Sequence, residues 1–397
     1  MADLLSIDEA QRLILERSRR LPAETVPLEA AAGRVLAEAA LATIDLPPFA
    51  SSAMDGYAVR AADTPGELAV VAHVAAGRPT ESSLEPGQAI GIATGGAVPA
   101  GADAVVPIEV VGEQGNRIQI SEPVPPGANV RPRGGDVTAG EKVVGAGGRL
   151  TPARLGALAA AGVSEVLCAR RPRAVVVPTG TELRAPGEPL GPGEVYEANG
   201  LILAAQLSGA GALVERVAAV GDDEEEHRSA LARALEADVV VTSGGVSVGP
   251  HDLVRRVEAE LGVEEVFWRV AVKPGKPISF GVRDGTLVFG LPGNPVSALV
   301  GFELFVRPAV LALQGVSDPL PRFEPGVLGA ARRRNAHRDE LARARRRVDG
   351  DVLVLDPLGG QESHMIARAA GADALVLVPR GEGELAVGSP VGHLRLD

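Results

Sequence analysis

Apolar and polar positions alternate in different ways along the chain, and the clearest pattern lies between residues 171 and 314. There, short apolar runs that end at glycine or proline alternate with longer segments in which apolar residues recur at helical spacing. This pattern predicts strands at 174–178, 213–220, 239–241 and 286–289, and helices at 198–208 and 223–236. Such alternation is typical of an α/β three-layer domain with a largely parallel sheet. Ligands of these sheets bind beyond the carboxyl ends of the strands.

The flanking segments predict other structures. Residues 1–46 and 140–170 favour helices, the first in two pieces broken near Pro22 and Pro27, the second with Thr151 as N-cap and Pro152 at its first position. Short runs between glycine and proline turns favour an inserted β-rich domain, and late apolar runs favour a small barrel or sandwich. The predicted domains are an elongated helical domain at 1–46 with 140–170, the β-rich insert at 47–139, the α/β domain at 171–314 and the C-terminal β domain at 315–397.

Two glycine-rich turns follow predicted strands of the α/β region: TSGGVSVGPHD at 242–252 and GLPGNPVS at 290–297. Backbone N–H groups at such a strand tip, next to a helix N-terminus, form an anion-binding concavity. Between the turns, VKPGKP at 272–277 contains two of the three lysines of the chain, Lys273 and Lys276. Because nearly all other basic residues of the chain are arginine, the two lysines indicate that a compact ammonium group is needed at these positions. The sequence therefore predicts bound phosphate or another oxyanion.

The segment after the second turn predicts a helix with Asn294 as N-cap, Pro295 at its first position and apolar residues up to Leu313. Pro308 is expected to kink it. We expect no apolar run to approach the ~18 residues of a membrane span, and the N-terminus lacks the basic start and apolar block of a signal peptide. With Cys168 as its single cysteine, the chain is predicted to be cytoplasmic, with no membrane partner.

The formal net charge of −12 argues against general nucleic-acid binding. One basic cluster, Arg332–Arg334 with Arg338 and 343–347, is the candidate exception. It contains no aromatic residue to stack on bases and alternates with acidic residues, so we expect a solvated face and no nucleic-acid partner.

Five carboxylates stand beside glycine turns: Asp55, Asp136, Glu182, Asp222 and Asp252. A carboxylate at a strand tip beside an anion cradle is suited to hold Mg²⁺. Taken singly, each is more often a helix cap or turn residue, but the five together favour a metal-assisted phosphate site. The chain has no Walker A loop, GxGxxG or HExxH motif, which argues against a P-loop NTPase, a dinucleotide-binding protein and a zinc hydrolase.

Seven motifs in one order resemble those of the molybdopterin molybdenumtransferases, the family of MoeA and the gephyrin E domain. The motifs are PPFASSAMDGYAVR at 47–60, TGGAVPAGADAVVPIE at 94–109, GANVRPRGGDV at 127–137, PTGTEL at 178–183, SGGVSVGPHD at 243–252, VKPGKPISFG at 272–281 and GLPGNPVSALVGFE at 290–303. The resemblance covers nearly the whole chain. It implies the four domains above, with a C-terminal β-barrel, and a homodimer in which the insert of one subunit meets the α/β domain of the other.

The resemblance also implies an activity, which is insertion of molybdate into adenylylated molybdopterin with release of AMP. Mg²⁺ or a similar cation is the implied cofactor, and a molybdopterin adenylyltransferase is the implied upstream donor. The implied molybdate ligands are Ser247, Lys273, Lys276, Ser297, Arg338 and Ser363. The implied pterin and phosphate contacts are Gly180, Ser243, Gly244, Gly245, Pro292, Gly293, Asn294 and Pro295. The implied catalytic residues are Asp55, Thr94, Asp136, Glu182, Asp222 and Asp252, of which Asp55, Glu182 and Asp252 hold the cation.

The chain departs from the family pattern at Thr181, where an acidic residue is usual, and at Ile366 and Ala367, where small hydroxyl residues are common. Two other functions stay open. A molybdopterin adenylyltransferase shares the α/β domain but is usually a short single domain, and a non-catalytic pterin-binding scaffold does not need Lys273, Lys276 and the acidic set. Tungstate, nearly equal to molybdate in size and charge, is an alternative oxyanion.

Overall fold

The structure is a computed structural model that describes residues 4–221, 223–245 and 253–396. Contacts divide the chain into two compact units. The first contains the residues up to Glu24, Gly33–Ala37 and the chain from Ala169 onward, and the second contains Thr25–Ala32 and Glu38–Cys168. The finer division into four domains stays a prediction.

The second unit is built mainly of strands, as the alternating runs predict. Its largest sheet has six strands in the order Ala104–Pro107, Gly56–Val59, Gln88–Ile92, Gly66–Val74, Arg117–Ile120 and Val111–Gln114. Smaller elements are the pairs Ala40–Leu41 with Lys142–Val144 and Ser51–Ser52 with Val130–Arg131, and the 3₁₀ turns Ala61–Asp63 and Ile108–Val110. One apolar cluster around Leu68 and Ile118 and another around Ile90 and Val105 stabilise the sheet.

Helices are fewer than the sequence predicts for residues 1–46. The helix Ile7–Arg17 forms, with Ser6 and Glu9 in a reciprocal capping box, and Thr151 caps the helix Pro152–Ala160 as expected. The second predicted piece is wrong, because the chain at 28–46 forms a 3₁₀ turn at Leu28–Ala30 and the short strand Ala40–Leu41. The strand Ala23–Pro27, paired with Glu165–Ala169, lies at the predicted break. Prolines at both ends and two β-branched residues between them favour extended backbone.

The α/β layer of the first unit contains a six-stranded sheet. Its strands run in the order Leu213–Arg216, Arg173–Pro178, Val239–Ser243, Thr286–Leu291, Ser279–Arg283 and Glu264–Trp268. The first four are parallel and Ser279–Arg283 is antiparallel to its neighbours, so the largely parallel sheet is confirmed. Its helices are Asn199–Gly209, Glu224–Ala234, Leu253–Glu260, and the run from Pro295 to Leu313. Alternate strand residues enter two apolar clusters, with Val176 and Val241 in one and Val175 and Val240 in the other.

The run from Pro295 to Leu313 is helical in three pieces, Pro295–Gly301, a π-helical turn at Phe302–Val306, and Arg307–Leu313. The π-helical turn interrupts the regular hydrogen-bond pattern just before Pro308, and the kink expected at Pro308 stays a prediction. Contrary to expectation, this run has the length and composition of a membrane span, the one such helix in the described ranges. Its most apolar window is 72% buried inside the protein, which is the position of a core helix. Its two charged residues, Glu303 and Arg307, pair at 2.5 Å.

The C-terminal strands form a closed barrel. They run in the order Asp339–Asp349, Val352–Pro357, Glu324–Leu328, Pro390–Arg395 and Ala374–Val378. The last of these pairs back with Asp339–Asp349 and closes five strands. The short strand Val272–Lys273 pairs in parallel with the first two residues of Asp339–Asp349. Further small elements are the pairs Leu183–Arg184 with Val195–Tyr196 and Arg332–Arg333 with Glu384–Leu385, and the helix Ile366–Ala369.

Candidate active site

A cleft of about 750 Å³ lies at the carboxyl ends of the parallel strands. Three neighbouring strands end there in register, because Pro178 lies opposite Ser243 and Ser243 lies opposite Leu291. Each strand is followed by a turn, and the three turns line the cleft together. The cleft occupies the position at which ligands bind to open α/β sheets.

All eight residues predicted to contact pterin or phosphate line this cleft: Gly180, Ser243, Gly244, Gly245, Pro292, Gly293, Asn294 and Pro295. Glu182, from the predicted acidic set, lines it as well. Gly244 has φ +99° and Gly245 has φ +65°, backbone conformations that residues with a Cβ rarely adopt. Glycine therefore permits the tight turn that directs the backbone toward the cleft.

Asn199 links two of these turns and was missed by sequence reasoning. Its Nδ2 donates to Ser243 Oγ at 2.6 Å and to the carbonyl oxygen of Gly293 at 2.8 Å, and the residue is buried. The signal for it was its place in the first turn of the helix that follows Pro178. Tyr196, His364 and other cleft residues were likewise not predicted.

The N-terminus of the helix Pro295–Gly301 faces the loop that contains Ser363. Asn294 occupies the predicted N-cap position, but its side chain forms no capping hydrogen bond within the described part of the chain. The N–H of Val296 instead donates to the carbonyl oxygen of Ser363 at 3.1 Å. The backbone of Ser363, rather than the side chain of Asn294, supports this helix end.

Arg343 fixes the same loop. It is a buried side chain whose guanidinium donates to the carbonyl oxygens of Met365, Gly360 and Glu362, at 2.7, 2.8 and 3.2 Å. Burial lowers the pKa of Arg343, although it stays a cation. Gln361 adds hydrogen bonds to the backbone of Arg343 in both directions. Sequence reasoning had assigned Arg343 to a solvated basic face, and this is wrong.

The predicted molybdate ligands do not line the cleft among the residues that the structure describes; Ser247 lies outside them. Strand pairing places Lys273 opposite Glu340, which follows Arg338 by two residues. The Lys273 ammonium approaches Glu340 Oε2 at 3.3 Å. Lys276 is exposed and Ser297 is buried. These residues belong to the same unit as the cleft.

The predicted residues of the second unit fall at two places. Asp55 and Thr94 lie together, with the N–H of Thr94 donating to Asp55 Oδ1 at 2.8 Å, and both side chains are exposed. Asp136 is also exposed, and its N–H donates to the carbonyl oxygen of Leu46 at 2.9 Å. The pairing of Asp55 with Thr94 is a contact between residues that are far apart in sequence.

Within the described ranges, no group of three or more His, Cys, Asp or Glu side chains is placed to hold a metal ion. No such cluster therefore supports the predicted metal site there. Asp222 and Asp252 lie outside those ranges. Glu182 lines the cleft and Asp55 is exposed in the second unit. Their carboxylates have the chemistry that Mg²⁺ prefers, so the donor type fits while the assembly of a site stays a prediction.

Three family models match successive parts of the chain. They are the MoeA N-terminal region (domain I and II) at 5–162, the probable molybdopterin binding domain at 175–312 and the MoeA C-terminal region (domain IV) at 325–395. Together they span nearly all of its residues.

Relatives match along the whole chain. Molybdopterin molybdenumtransferase 2 of Mycobacterium tuberculosis is 39% identical over 399 residues, covering 97% of this chain and 98% of the relative. The molybdopterin molybdenumtransferase of Haemophilus influenzae is 35% identical, covering 98% of each. The crystal structure of the molybdopterin biosynthesis MoeA protein from Pyrococcus horikoshii has a TM-score of 0.82 and 32% identity, covering 100% of both chains. The chain belongs to the molybdopterin molybdenumtransferase (MoeA) family.

Proposed function

We propose that this protein inserts molybdate into adenylylated molybdopterin and releases AMP, completing the molybdenum cofactor. The observation that carries the proposal is the cleft at the strand ends, which collects all eight predicted pterin and phosphate residues in a chain that matches the family end to end. An adenylyltransferase is disfavoured because the relatives that span this chain are named molybdenumtransferases.

The turns of the cleft bind the pterin and its phosphates in this proposal. The N–H groups of Gly245, Gly293 and Asn294 donate to phosphate oxygens in this arrangement. The N–H of Gly244 is not available, because it donates to the carbonyl oxygen of Leu291 at 3.1 Å, and Pro292 and Pro295 have no N–H. Asn199 holds the two turns at a fixed separation through Ser243 and Gly293. Binding then orients the adenylylated pterin for reaction, which lowers the barrier to the transfer.

Positive side chains bind the oxyanion. Lys273, Lys276 and Arg338 supply charge, and Ser247, Ser297 and Ser363 supply hydrogen bonds to the molybdate oxygens. The pairing of Lys273 with Glu340, two residues after Arg338 along the chain, supports the joint action of Lys273 and Arg338. Molybdate is a substrate of the proposed reaction. Tungstate is the alternative oxyanion, and the experiment below compares the two.

Acidic residues handle the phosphate side of the reaction. Asp55, Glu182 and Asp252 would hold Mg²⁺, which supplies positive charge to the phosphate oxygens when bound. Asp136 and Asp222 complete the proposed set with Thr94. The N–H of Thr94 fixes one oxygen of Asp55 and leaves an exposed carboxylate to act outside the insert.

We further propose a homodimer in which the insert of one subunit completes the cleft of the other. The exposure of Asp55, Thr94 and Asp136 supports this, because residues that serve a neighbouring subunit must be accessible in the single chain. A molybdopterin adenylyltransferase supplies the adenylylated pterin, and the reaction takes place in the cytoplasm.

The test measures AMP release and molybdenum incorporation with adenylylated molybdopterin, Mg²⁺ and either molybdate or tungstate. We expect oxyanion-dependent AMP release that Asp55→Ala and Lys276→Ala each lower at least ~100-fold. Both side chains are exposed, so the thermal unfolding midpoint should stay within a few degrees of wild type. Tight pterin binding without turnover on either oxyanion would contradict the transferase and favour a scaffold.

A further inference from the structure

Glu340 is a buried carboxylate for which the proposed reaction has no role. The residue is 3% exposed and lies on the strand Asp339–Asp349, directly opposite Lys273 in the parallel pairing. A carboxylate removed from water in this way is stable only when positive groups compensate it. Two cations do so, Lys273 and Arg332.

The two cations do not share Glu340 equally. Arg332 Nη2 lies 2.5 Å from Glu340 Oε1, whereas Lys273 Nζ lies 3.3 Å from Glu340 Oε2. Hydrogen bonds between ionised groups are usually about 2.7–2.9 Å long, so Arg332 makes the tight contact and Lys273 the loose one. The Lys273 side chain is 41% exposed and that of Arg332 is 22% exposed. The ammonium therefore keeps an open side toward solvent.

We propose that Arg332 is a positioning residue of the oxyanion site, which neutralises Glu340 and so leaves the charge of Lys273 for the incoming dianion. The inference rests on the proposed function through Lys273. Without Arg332, Glu340 would keep Lys273 as its counter-ion and cancel the charge that attracts molybdate. The guanidinium suits this role because it is planar, weakly hydrated and always charged. Arg332, which belongs to the basic cluster, thus has an electrostatic role inside the protein.

The first experiment is Arg332→Met with steady-state kinetics for both substrates. We expect the KM for molybdate to rise about tenfold, which corresponds to about 1.4 kcal/mol, while the KM for adenylylated molybdopterin stays unchanged. Arg333→Met is the matched control, because Arg333 is an exposed neighbour on the same short strand, and both KM values should stay at wild type.

A second-site substitution separates charge allocation from a structural role. In Arg332→Met with Glu340→Gln, no carboxylate remains to neutralise Lys273, so the molybdate KM should return to within about twofold of wild type. Arg332→Lys keeps a positive partner for Glu340 and should also stay near wild type. A molybdate KM that remains raised in both variants would overturn the inference.

Lys273→Met distinguishes this failure from failure of the proposed function. If Lys273→Met raises the molybdate KM but the Arg332 variants do not, the role of Arg332 is wrong and the oxyanion site stands. If Lys273→Met leaves the molybdate KM unchanged, Lys273 has no role in oxyanion binding, and both the assigned site and the inference fail.

Discussion

Asp238 directly precedes the central strand Val239–Ser243, and its side chain connects this strand to the start of the neighbouring strand Arg173–Pro178. Its carboxylate accepts two hydrogen bonds from Arg170, at 2.8 and 2.9 Å, and one from the N–H of Arg173 at 2.7 Å. Burial by itself raises the pKa of this carboxyl, but these donors outweigh it and the pKa lies below its ordinary value. The charged form is thus the form that stabilises the fold.

We expect Asp238→Asn to lower the free energy of unfolding by about 2 kcal/mol at pH 7, since hydrogen bonds to charged groups contribute ~1.5–3 kcal/mol. The pKa of Asp238 is lower in the folded protein than in the unfolded chain, where an aspartate has a pKa of about 3.9. Its stabilisation is therefore complete above the unfolded pKa and is lost as the pH falls through the folded pKa. The difference between wild type and variant should therefore be constant from about pH 5 to 8 and shrink below about pH 4. Urea unfolding at several pH values measures it.

Asp284→Asn is the control for this prediction. Asp284 has the same side chain but is 92% exposed, and asparagine tolerates its φ of +51°. Its free energy of unfolding should change by less than about 0.5 kcal/mol. Equal losses for the two variants would contradict the role given to Asp238.

Among the elements, the SGG turn depends on glycine for a steric reason. A Cβ on Gly244 would lie 2.4 Å from the carbonyl oxygen of Thr179, which is far inside van der Waals contact, and φ is +99°. A Cβ on Gly293, in the neighbouring turn, would meet only the Cα of Gly244, at 3.7 Å. Two glycines of one cleft therefore differ in what they tolerate.

Gly244→Ala should lower the free energy of unfolding by about 1–3 kcal/mol, because the backbone must either keep a strained conformation or move the turn. It should also raise the KM for adenylylated molybdopterin, since the turn forms one wall of the cleft. Gly293→Ala is the matched control, and its free energy of unfolding should stay within about 0.5 kcal/mol of wild type. Thermal and urea unfolding of both variants check this, and the reverse order of stability would contradict it.

At the scale of the whole molecule, the proposed homodimer predicts complementation between inactive subunits. Asp55→Ala removes a group of the insert and Lys276→Ala a group of the other unit. If an active site takes one from each subunit, a heterodimer of the two variants has one intact site. Random mixing in equal amounts then restores about a quarter of wild-type activity, since about half of the dimers are mixed.

Light scattering of the wild-type chain should give a mass of about twice 40.6 kDa. The mixed subunits are denatured and refolded together so that they exchange. No recovery of activity after verified exchange would mean that each site is built within one subunit, and a monomeric mass would contradict the dimer itself.

The architecture could be predicted to a large extent because local rules decide it. Alternating apolar runs predicted the parallel strands around Val240, and capping residues such as Thr151 predicted where helices begin. The helical piece predicted after Pro27 failed because helix and strand differ little in free energy for such short segments, and pairing of Ala40–Leu41 with a distant strand at 142–144 decided between them. Arg343 failed for a related reason, since the sequence does not show which arginine the barrel buries.

The sequence by itself determined the turns, the order of the motifs and the residues available for chemistry, because glycine conformations and charged groups are local properties. Only the tertiary structure decided which of them meet. It placed Asn199 between Ser243 and Gly293, Thr94 on Asp55, and Glu340 between Arg332 and Lys273. Apart from the pair of Arg332 with Glu340, eight residues apart, these contacts join residues far apart in the chain. Their distances depend on the register and packing of whole strands, which no local pattern encodes.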